Sequence, residues 1–332
     1  MRFRKNGNGI LVPHTPEILI AKHVDCEVNT PSVGYAGYFS WELRRGGKVI
    51  RDSGGQSHNL LVNAAMENLS GNGFENLISK ANMGTGAVAP AFTDVNLGAE
   101  VGTARVNGVQ VASAYSGALP DYWYRRYTYT FTELLANGNL TEIGLFHVGG
   151  AMAVRQLLKD GTGTPTVVTK TAADQLLITF EIRVYIPQVD VASVVNISGV
   201  NYAVNTRVAN ASTGGAWGSV IQAGVTSNIG CSPVETDVLG DRYNSPAGAF
   251  TQSTDHTQTA YVAGSYYIEN KEVWDTGFAN FGTGIGAILT FNGGNSGFNF
   301  AFLFQHSFTP KIPKTNVKKL TIFQRRSWAR YP

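Results

Sequence analysis

The segment QLLITFEIRVYIP, residues 175–187, constrains the fold of this chain more than any other stretch. Ile178, Phe180, Ile182, Val184 and Ile186 fall on one side of an extended backbone, and Thr179, Glu181, Arg183 and Tyr185 on the other. Such a period-two pattern describes a half-buried antiparallel strand. YTYTFTEL, from Tyr127, alternates aromatic residues with threonine in the same way. NFAFLFQHSF sets Phe300, Phe302, Phe304, His306 and Phe308 on one face, which makes His306 a core or rim histidine rather than a ligand. SWELRRGGKVIRDS reads as a hairpin, because Gly46 and Gly47 both tolerate positive φ at the turn.

Composition points the same way. Of 332 residues, 38 are glycine and 11% are aromatic, while charged residues reach only 15%, against about a quarter in ordinary globular chains. Strands joined by tight turns fit these values. One helix is expected near residues 60–70, in NLLVNAAMENLSG, with Asn59 as N-cap, Gly71 as stop, and Leu60, Leu61, Ala64, Ala65 and Leu69 on one face. The pattern changes near Pro187, where QVDVASVVNISGV begins. The expected fold is therefore mostly β: two antiparallel β-sandwich-like domains, residues 1–188 with the short helix and residues 189–332, and no residue-level repeat links them.

Several strings imitate chemistry. NMGTGAVAPAFTD, Asn82 to Asp94, has the GxG of a phosphate loop, but neither a strand before it nor a helix after it is evident, so it is expected to be a tight turn. ANFGTGIGAILTFNGG leads into a β run, with no helix to aim at an anion. In RDSGGQSHN a serine and His58 resemble a protease nucleophile loop over four residues only, and a hairpin exit is expected. Asp255 and His256 are adjacent and would point to opposite faces of a strand. His23, Asp25 and Cys26 lack a fourth zinc partner, and the two cysteines, Cys26 and Cys231, are expected to be buried thiols. No residue is nominated as catalytic, cofactor-binding or metal-binding, and no cofactor is expected.

Charge and targeting add little. The net charge of +3 is too small for a general polyanion binder. The stretch from Lys311 to Arg330 carries seven basic residues (Lys311, Lys314, Lys318, Lys319, Arg325, Arg326, Arg330) and no acid. It could meet phosphate, with Trp328 and Phe323 stacking on bases, but it reads better as an edge strand blunted by cations or facing an acidic patch on a neighbouring subunit. No nucleic-acid partner is expected. The apolar run at the start stops at Pro13 and Pro16, too short for a signal-peptide core, and no stretch has the apolar length of a membrane span, so a protein made in a cytoplasm is expected.

Two sets of motifs together carry a resemblance. MGTGAVAPAFTDVNLGAEV, YTYTFTEL, LTEIGLFHVGGAMAVRQLL and QLLITFEIRVYI resemble a module of tail, fibre and other structural proteins of tailed bacteriophages. The matched positions are Gly84, Thr85, Gly86, Thr93, Asp94, Leu97, Glu142, Gly144, Leu145, Phe146, Met152 and Arg155. GIGAILTF, TPKIPKT and LTIFQRRSWAR are similar to the closing segment of phage tail proteins through Gly284 to Gly286, Pro310, Pro313, Lys314, Thr315 and Trp328. About half of the chain is covered; residues 193–269 match nothing. The resemblance implies a non-enzymatic virion subunit, assembled in the host bacterial cytoplasm, whose partners are copies of itself (a homo-oligomer) and neighbouring tail or neck proteins. The alternative is a receptor- or glycan-binding module of a tail fibre, with Trp123, Trp217 and Trp274 stacking on host surface sugars. Within the motif, Glu142 is expected to accept hydrogen bonds from turn amides, Asp94 to close a side-chain-to-backbone turn, Gly144 to relieve a strained turn, and Leu145 with Phe146 to anchor it in a core.

Overall fold

A computed structural model describes residues 3–5, 11–13, 22–224, 229–248, 251–292 and 301–332. The strands, in chain order, are β1 (Phe3–Lys5), β2 (Leu11–Pro13), β3 (Lys22–Asn29), β4 (Val33–Arg45), β5 (Lys48–Asp52), β6 (Ser57–Leu61), β7 (Lys80–Gly84), β8 (Val106–Asn107), β9 (Val109–Tyr115), β10 (Tyr122–Phe131), β11 (Gly138–Leu140) and β12 (Glu142–Phe146). They continue as β13 (Met152–Leu157), β14 (Val168–Lys170), β15 (Asp174–Tyr185), β16 (Val191–Ile197), β17 (Val200–Val208), β18 (Gly230–Val234), β19 (Asp255–Gln258), β20 (Tyr267–Trp274), β21 (Ile285–Asn292), β22 (Ala301–Ile312) and β23 (Lys318–Arg330). The helices are short: α1 (Asn63–Asn68), α2 (Phe74–Leu77), and α3 (Ser219–Ala223), which continues a π-helical turn over Gly214–Gly218. The chain is thus mostly β.

Alternation turns directly into layers. β15 runs antiparallel to β10 from Tyr122↔Tyr185 to Phe131↔Leu176, and to β4 from Tyr185↔Gly34 to Asp174↔Arg45. Ile178, Phe180, Ile182, Val184 and Ile186 are buried, each at 1% exposure or less. Each such side chain contributes roughly 1.5–3 kcal/mol over its exposed state. The hairpin β4–β5 turns at Gly46 and Gly47, with φ of 53° and 78°, the mirror-image turn that matches strand twist. Phe302, Phe304, His306 and Phe308 of β22 are all buried; Phe300 lies outside the described residues.

The helix expected at residues 60–70 is shorter and starts later. Ser57–Leu61 is strand β6, which pairs with β4 through Gly37↔Asn59 and with β13 through Val154↔Leu61. Asn59 is therefore a buried strand residue, and Val62, not Asn59, precedes α1. Strand partners on both sides outweigh a local helical periodicity. Helices α2 and α3 were not expected from the sequence, because each has too few turns for a period to emerge.

The chain leaves β15 for β16 at Pro187, and β16-β17-β22-β21-β18 form a five-stranded antiparallel sheet. The second half does not keep to that sheet. β19, β20 and β23 belong to the same 14-stranded sheet as β4 and β15. β23 pairs antiparallel with β20, but parallel with β3 from Lys318↔Lys22 to Arg325↔Asn29, and parallel with β4 from Trp328↔Val33 to Arg330↔Tyr35. The expectation of wholly antiparallel sheets is corrected there. So is the expectation of a basic edge strand, since β23 has neighbours on both sides. Two of its cations meet acids of the same chain: Arg325 lies 2.6 Å from Glu269 and Lys319 2.7 Å from Asp275. Trp328, offered as a base-stacking residue, is buried and donates its indole N–H to the Met66 carbonyl at 2.8 Å. Ile322→Ala in β23 is expected to lower stability by about 2–5 kcal/mol and, in hydrogen exchange, to deprotect β4 and β20 together. Separate losses would show that β23 does not couple the two halves.

His306 is fully buried; its Nδ1 lies 2.8 Å from the Thr206 hydroxyl. Burial first, and the nearby Arg326 guanidinium second, pull its pKa down to about 3. The unfolded chain takes up a proton near pH 6.5 and the folded chain resists it, so stability falls as pH drops from about 6.5 toward 3. Urea midpoints across this interval are expected to fall less steeply in His306→Asn than in the parent. Equal slopes would contradict a neutral, buried His306.

Candidate functional site

The glycine loop after Asn82 follows a strand after all, because Lys80–Gly84 is β7, paired with β12 through Gly84↔Glu142. No helix follows it, and an anion nevertheless occupies it. Glu142 Oε1 accepts the Gly86 N–H at 2.9 Å and the Ala99 N–H at 3.1 Å. Its other oxygen accepts Arg155 Nε at 2.8 Å. Both side chains are almost wholly buried, Glu142 at 0% and Arg155 at 4% exposure. Arg155 Nη1 reaches Asp94 Oδ2 at 2.7 Å, and Nη2 donates to the Val88 carbonyl at 3.1 Å. Asp94 Oδ2 also accepts the Ala91 N–H at 2.8 Å, closing the expected turn. Burial raises the Asp94 carboxyl, but the Ala91 amide and the Arg155 guanidinium outweigh it and the net shift is downward.

The glycines follow from the carboxylate. A Cβ on Gly84 would stand 2.5 Å from Glu142 Oε1, and one on Gly86 2.3 Å, so neither position accepts a side chain without displacing the acid. Gly144 corrects an expectation. It lies within β12 and relieves no turn; a Cβ there would press on the Phe146 ring at 3.0 Å and on Leu97 at 3.1 Å. Leu97, Phe146, Met152 and Val62 form a small core of their own, while Leu145 joins the main one. Thr85 and Thr93 are exposed at the loop surface. In the second set of motifs, Lys314 is buried and donates to the Asp275 carbonyl at 3.2 Å and to Asn280 Oδ1 at 3.0 Å.

The clasped loop walls a cleft. Its Phe92 carbonyl accepts the Asn63 N–H at 2.7 Å, and the Arg330 guanidinium lies 4.2 Å above the Phe92 ring. Pro90 and Phe92 face His58, Leu60, Arg330 and Tyr331 across a volume of about 360 Å³. Arg330 is held in place by the Leu61 carbonyl at 2.7 Å and Asn63 Oδ1 at 2.8 Å. Tyr331 joins the cleft lining to a cluster of tyrosines. Tyr331 stacks on Tyr185 at 3.6 Å, the Tyr185 and Tyr38 hydroxyls lie 3.1 Å apart, and Arg183 sits 3.8 Å over Tyr38 and 4.5 Å over Tyr122. Burial, helped by Lys159 and Arg183, lowers the His58 pKa, so its ring is neutral at physiological pH. The site therefore presents ring faces and neutral polar groups, with its arginines already bound.

The other sequence candidates stand apart from this surface or are differently engaged. Ser53 donates its hydroxyl proton to the Gly55 carbonyl at 2.7 Å and accepts the Trp41 N–H at 3.2 Å, inside the turn that leaves the β4–β5 hairpin. His256 pairs across strands with Glu272 at 2.8 Å, and not with Asp255. Asp25 is exposed and Cys26 buried, on opposite faces of β3. Cys26 and Cys231 are both buried free thiols, and burial pushes Cys26 up to about 12. Of the tryptophans considered for sugar stacking, Trp217 and Trp274 are fully buried, with indole N–H groups on the carbonyls of Ala209 and Thr251. Trp123 is half-buried and bonded to the Ala211 carbonyl at 2.8 Å. The rings at this surface are the exposed Phe92 and the partly exposed Tyr38, Tyr122 and Tyr331, of which Tyr38 and Tyr122 sit on outward positions of β4 and β10. Comparison with known proteins finds no matching family model, no matching curated protein and no matching solved structure.

Glu142→Ala removes the buried carboxylate from Arg155 Nε and leaves the guanidinium only Asp94 as a counter-charge, so it is expected to cost about 3 kcal/mol, with hydrogen-exchange protection lost at the amides of Gly86 and Ala99. Unchanged protection at those two amides would mean that the carboxylate does not hold the loop.

Proposed function

We propose that this chain is a structural, non-enzymatic subunit of a tailed-bacteriophage virion, placed in the tail, baseplate, collar or fibre-attachment region and working through contacts with copies of itself and with neighbouring tail or neck proteins. What supports the reading is the convergence of the resembling motif. Gly84, Gly86, Asp94, Glu142 and Arg155 come from distant parts of the sequence and meet in one buried clasp. A motif whose charged groups satisfy one another is a device for holding shape. In this reading the chain forms two sandwich-like β domains, 1–188 and 189–332, that share the 14-stranded sheet, because β19, β20 and β23 of the second join the strands of the first. The protein assembles into particles in the host cytoplasm.

One observation favours a second reading, a receptor- or glycan-binding module: Tyr38, Tyr122 and Tyr331 offer partly exposed rings beside the cleft, with Arg183 over the first two, and aromatic rings beside a few hydrogen-bonding groups suit sugar recognition. The test of the first reading is the composition of purified particles from the bacterium that carries the gene. The chain is expected in them at a stoichiometric ratio to the other structural proteins, with antibody labelling confined to the tail. Its absence from the particles would overturn the proposal. Binding on a glycan array that disappears in Tyr122→Ala and Tyr331→Ala would move the assignment to the second reading.

A further inference from the structure

Sheet edges decide how a β protein meets its neighbours, because an unpaired strand exposes a row of N–H and C=O groups that another strand can join. Most edges among the described residues are guarded. β3 carries Lys22, Asp25 and Glu27; β5 carries Lys48, Arg51 and Asp52; β19 carries Asp255 and His256. β8 has two residues, β1, β2, β11 and β14 have three each, and β18 is buried throughout and contains Pro233. β9 is uncharged but bulged: Arg126 faces Ala112 and Tyr127 faces Gln110, leaving Val111 out of register, and a bulge spoils an edge as a template.

β16 has none of these protections. Its sequence, VASVVNI, contains no charge and no proline, it pairs with β17 over Val191↔Thr206 to Ile197↔Val200 without a register shift, and among the described residues it has no strand on its other side. Val191 and Val194 are 42% and 67% exposed. Val195 packs on the core shared with β3, so the strand is held firmly from one face.

We propose that β16 is a self-association edge: two copies of this chain join their five-stranded sheets through antiparallel β16–β16 pairing about a twofold axis at Val194. The inference rests on the subunit reading above and names its contact. The geometry sets the register. Ser198 and Gly199, both at positive φ, make a two-residue turn, and such a turn closes on a hydrogen-bonded pair, here Ile197 with Val200. Counting back along an antiparallel ladder, Ile197, Val195, Ser193 and Val191 direct their backbone groups at β17. Ala192, Val194 and Asn196 direct theirs outward. A twofold axis at Val194 pairs Val194 with its own copy and Ala192 with Asn196 of the other chain, so all three outward residues find partners in one register. No like charges face each other in it. A twofold contact between identical patches is also the commonest closed arrangement of homo-oligomers.

The test is solution mass by light scattering over a range of concentrations and at two salt levels. A dimer insensitive to salt is expected, because the contact carries no charge. Val194→Lys, on an exposed side chain, and Val194→Pro, which removes an N–H that points away from β17, are each expected to return the mass to that of one chain with an unchanged circular dichroism spectrum. Val194→Cys is expected to give a disulfide-linked dimer under mild oxidation, since both native thiols are buried; this variant carries the test should the other two fail to fold. A one-chain mass at every concentration, or self-association that survives Val194→Lys while Val194→Cys does not cross-link, would overturn the β16 contact. Neither result touches particle composition, which judges the subunit reading separately.

Discussion

The buried pair of Glu142 and Arg155 is the constraint on which the surrounding structure depends. Two charges withdrawn from water need their remaining donors and acceptors satisfied, or the desolvation cost exceeds their attraction. Each neighbouring feature answers one of those needs. The amides of Gly86 and Ala99 take one carboxylate oxygen, while Asp94 and the Val88 carbonyl take the outer nitrogens of the guanidinium. Gly84 and Gly86 lack side chains because the carboxylate stands where a Cβ would be. The loop is thereby fixed by an acid from β12 and a base from β13, strands that pair through Gly144↔Arg155. Its Phe92 then stands where Arg330 of β23 can cover it. A single ion pair thus connects the glycine loop, the central hairpin and the cleft.

Legibility in the sequence tracked how local the cause was. β15, β10 and β22 were readable because period two is written in neighbouring residues, and the β4–β5 turn because Gly46 and Gly47 announce their own φ. Glu142 as an acceptor of turn amides and Asp94 as a turn closer were readable from the motif, although Arg155 as the cation joining them was matched without a stated role. What escaped depended on distant strands. Asn59, Leu60 and Leu61 have a helical spacing with Ala64 and Ala65, and only β4 and β13 on either side hold them extended. β23 looked like an edge because its basic residues are visible, whereas Glu269 and Asp275, which Arg325 and Lys319 meet, lie some fifty residues upstream. The tyrosine cluster escaped for a different reason. Attention to the inward residues of a strand passes over the outward ones, and Tyr122, Arg183 and Tyr185 are outward.

The second half of the chain adds a different kind of specification. His306, Arg326 and Lys314 are buried at 0–2% exposure, and burial holds the first neutral and lowers the pKa of the other two. Such residues give up stability that apolar side chains of the same size would supply. In exchange they admit few arrangements: Lys314 must find the Asp275 carbonyl and Asn280, and His306 must find Thr206. For a chain whose strands are numerous and whose parallel pairing at β23 spans almost the whole sequence, restricting alternative registers has value of its own.

The distribution of charge over the sheet edges bears on how these parts act together. A chain this rich in strands risks indiscriminate edge pairing, and lysines, arginines, prolines, bulges and short lengths at the margins limit that risk. The same physics makes an unguarded edge informative, because the protection is applied elsewhere and omitted at β16. The clasp and the edge stand on different sheets: Glu142 and Arg155 are in strands of the 14-stranded sheet, and β16 bounds the five-stranded one. The cleft wall is thus built by one sheet, while the other ends, among the described residues, at β16. Pairing through β16 would leave the cleft and its tyrosines on a sheet that takes no part in the contact, so self-association and recognition at the cleft need not compete for the same residues.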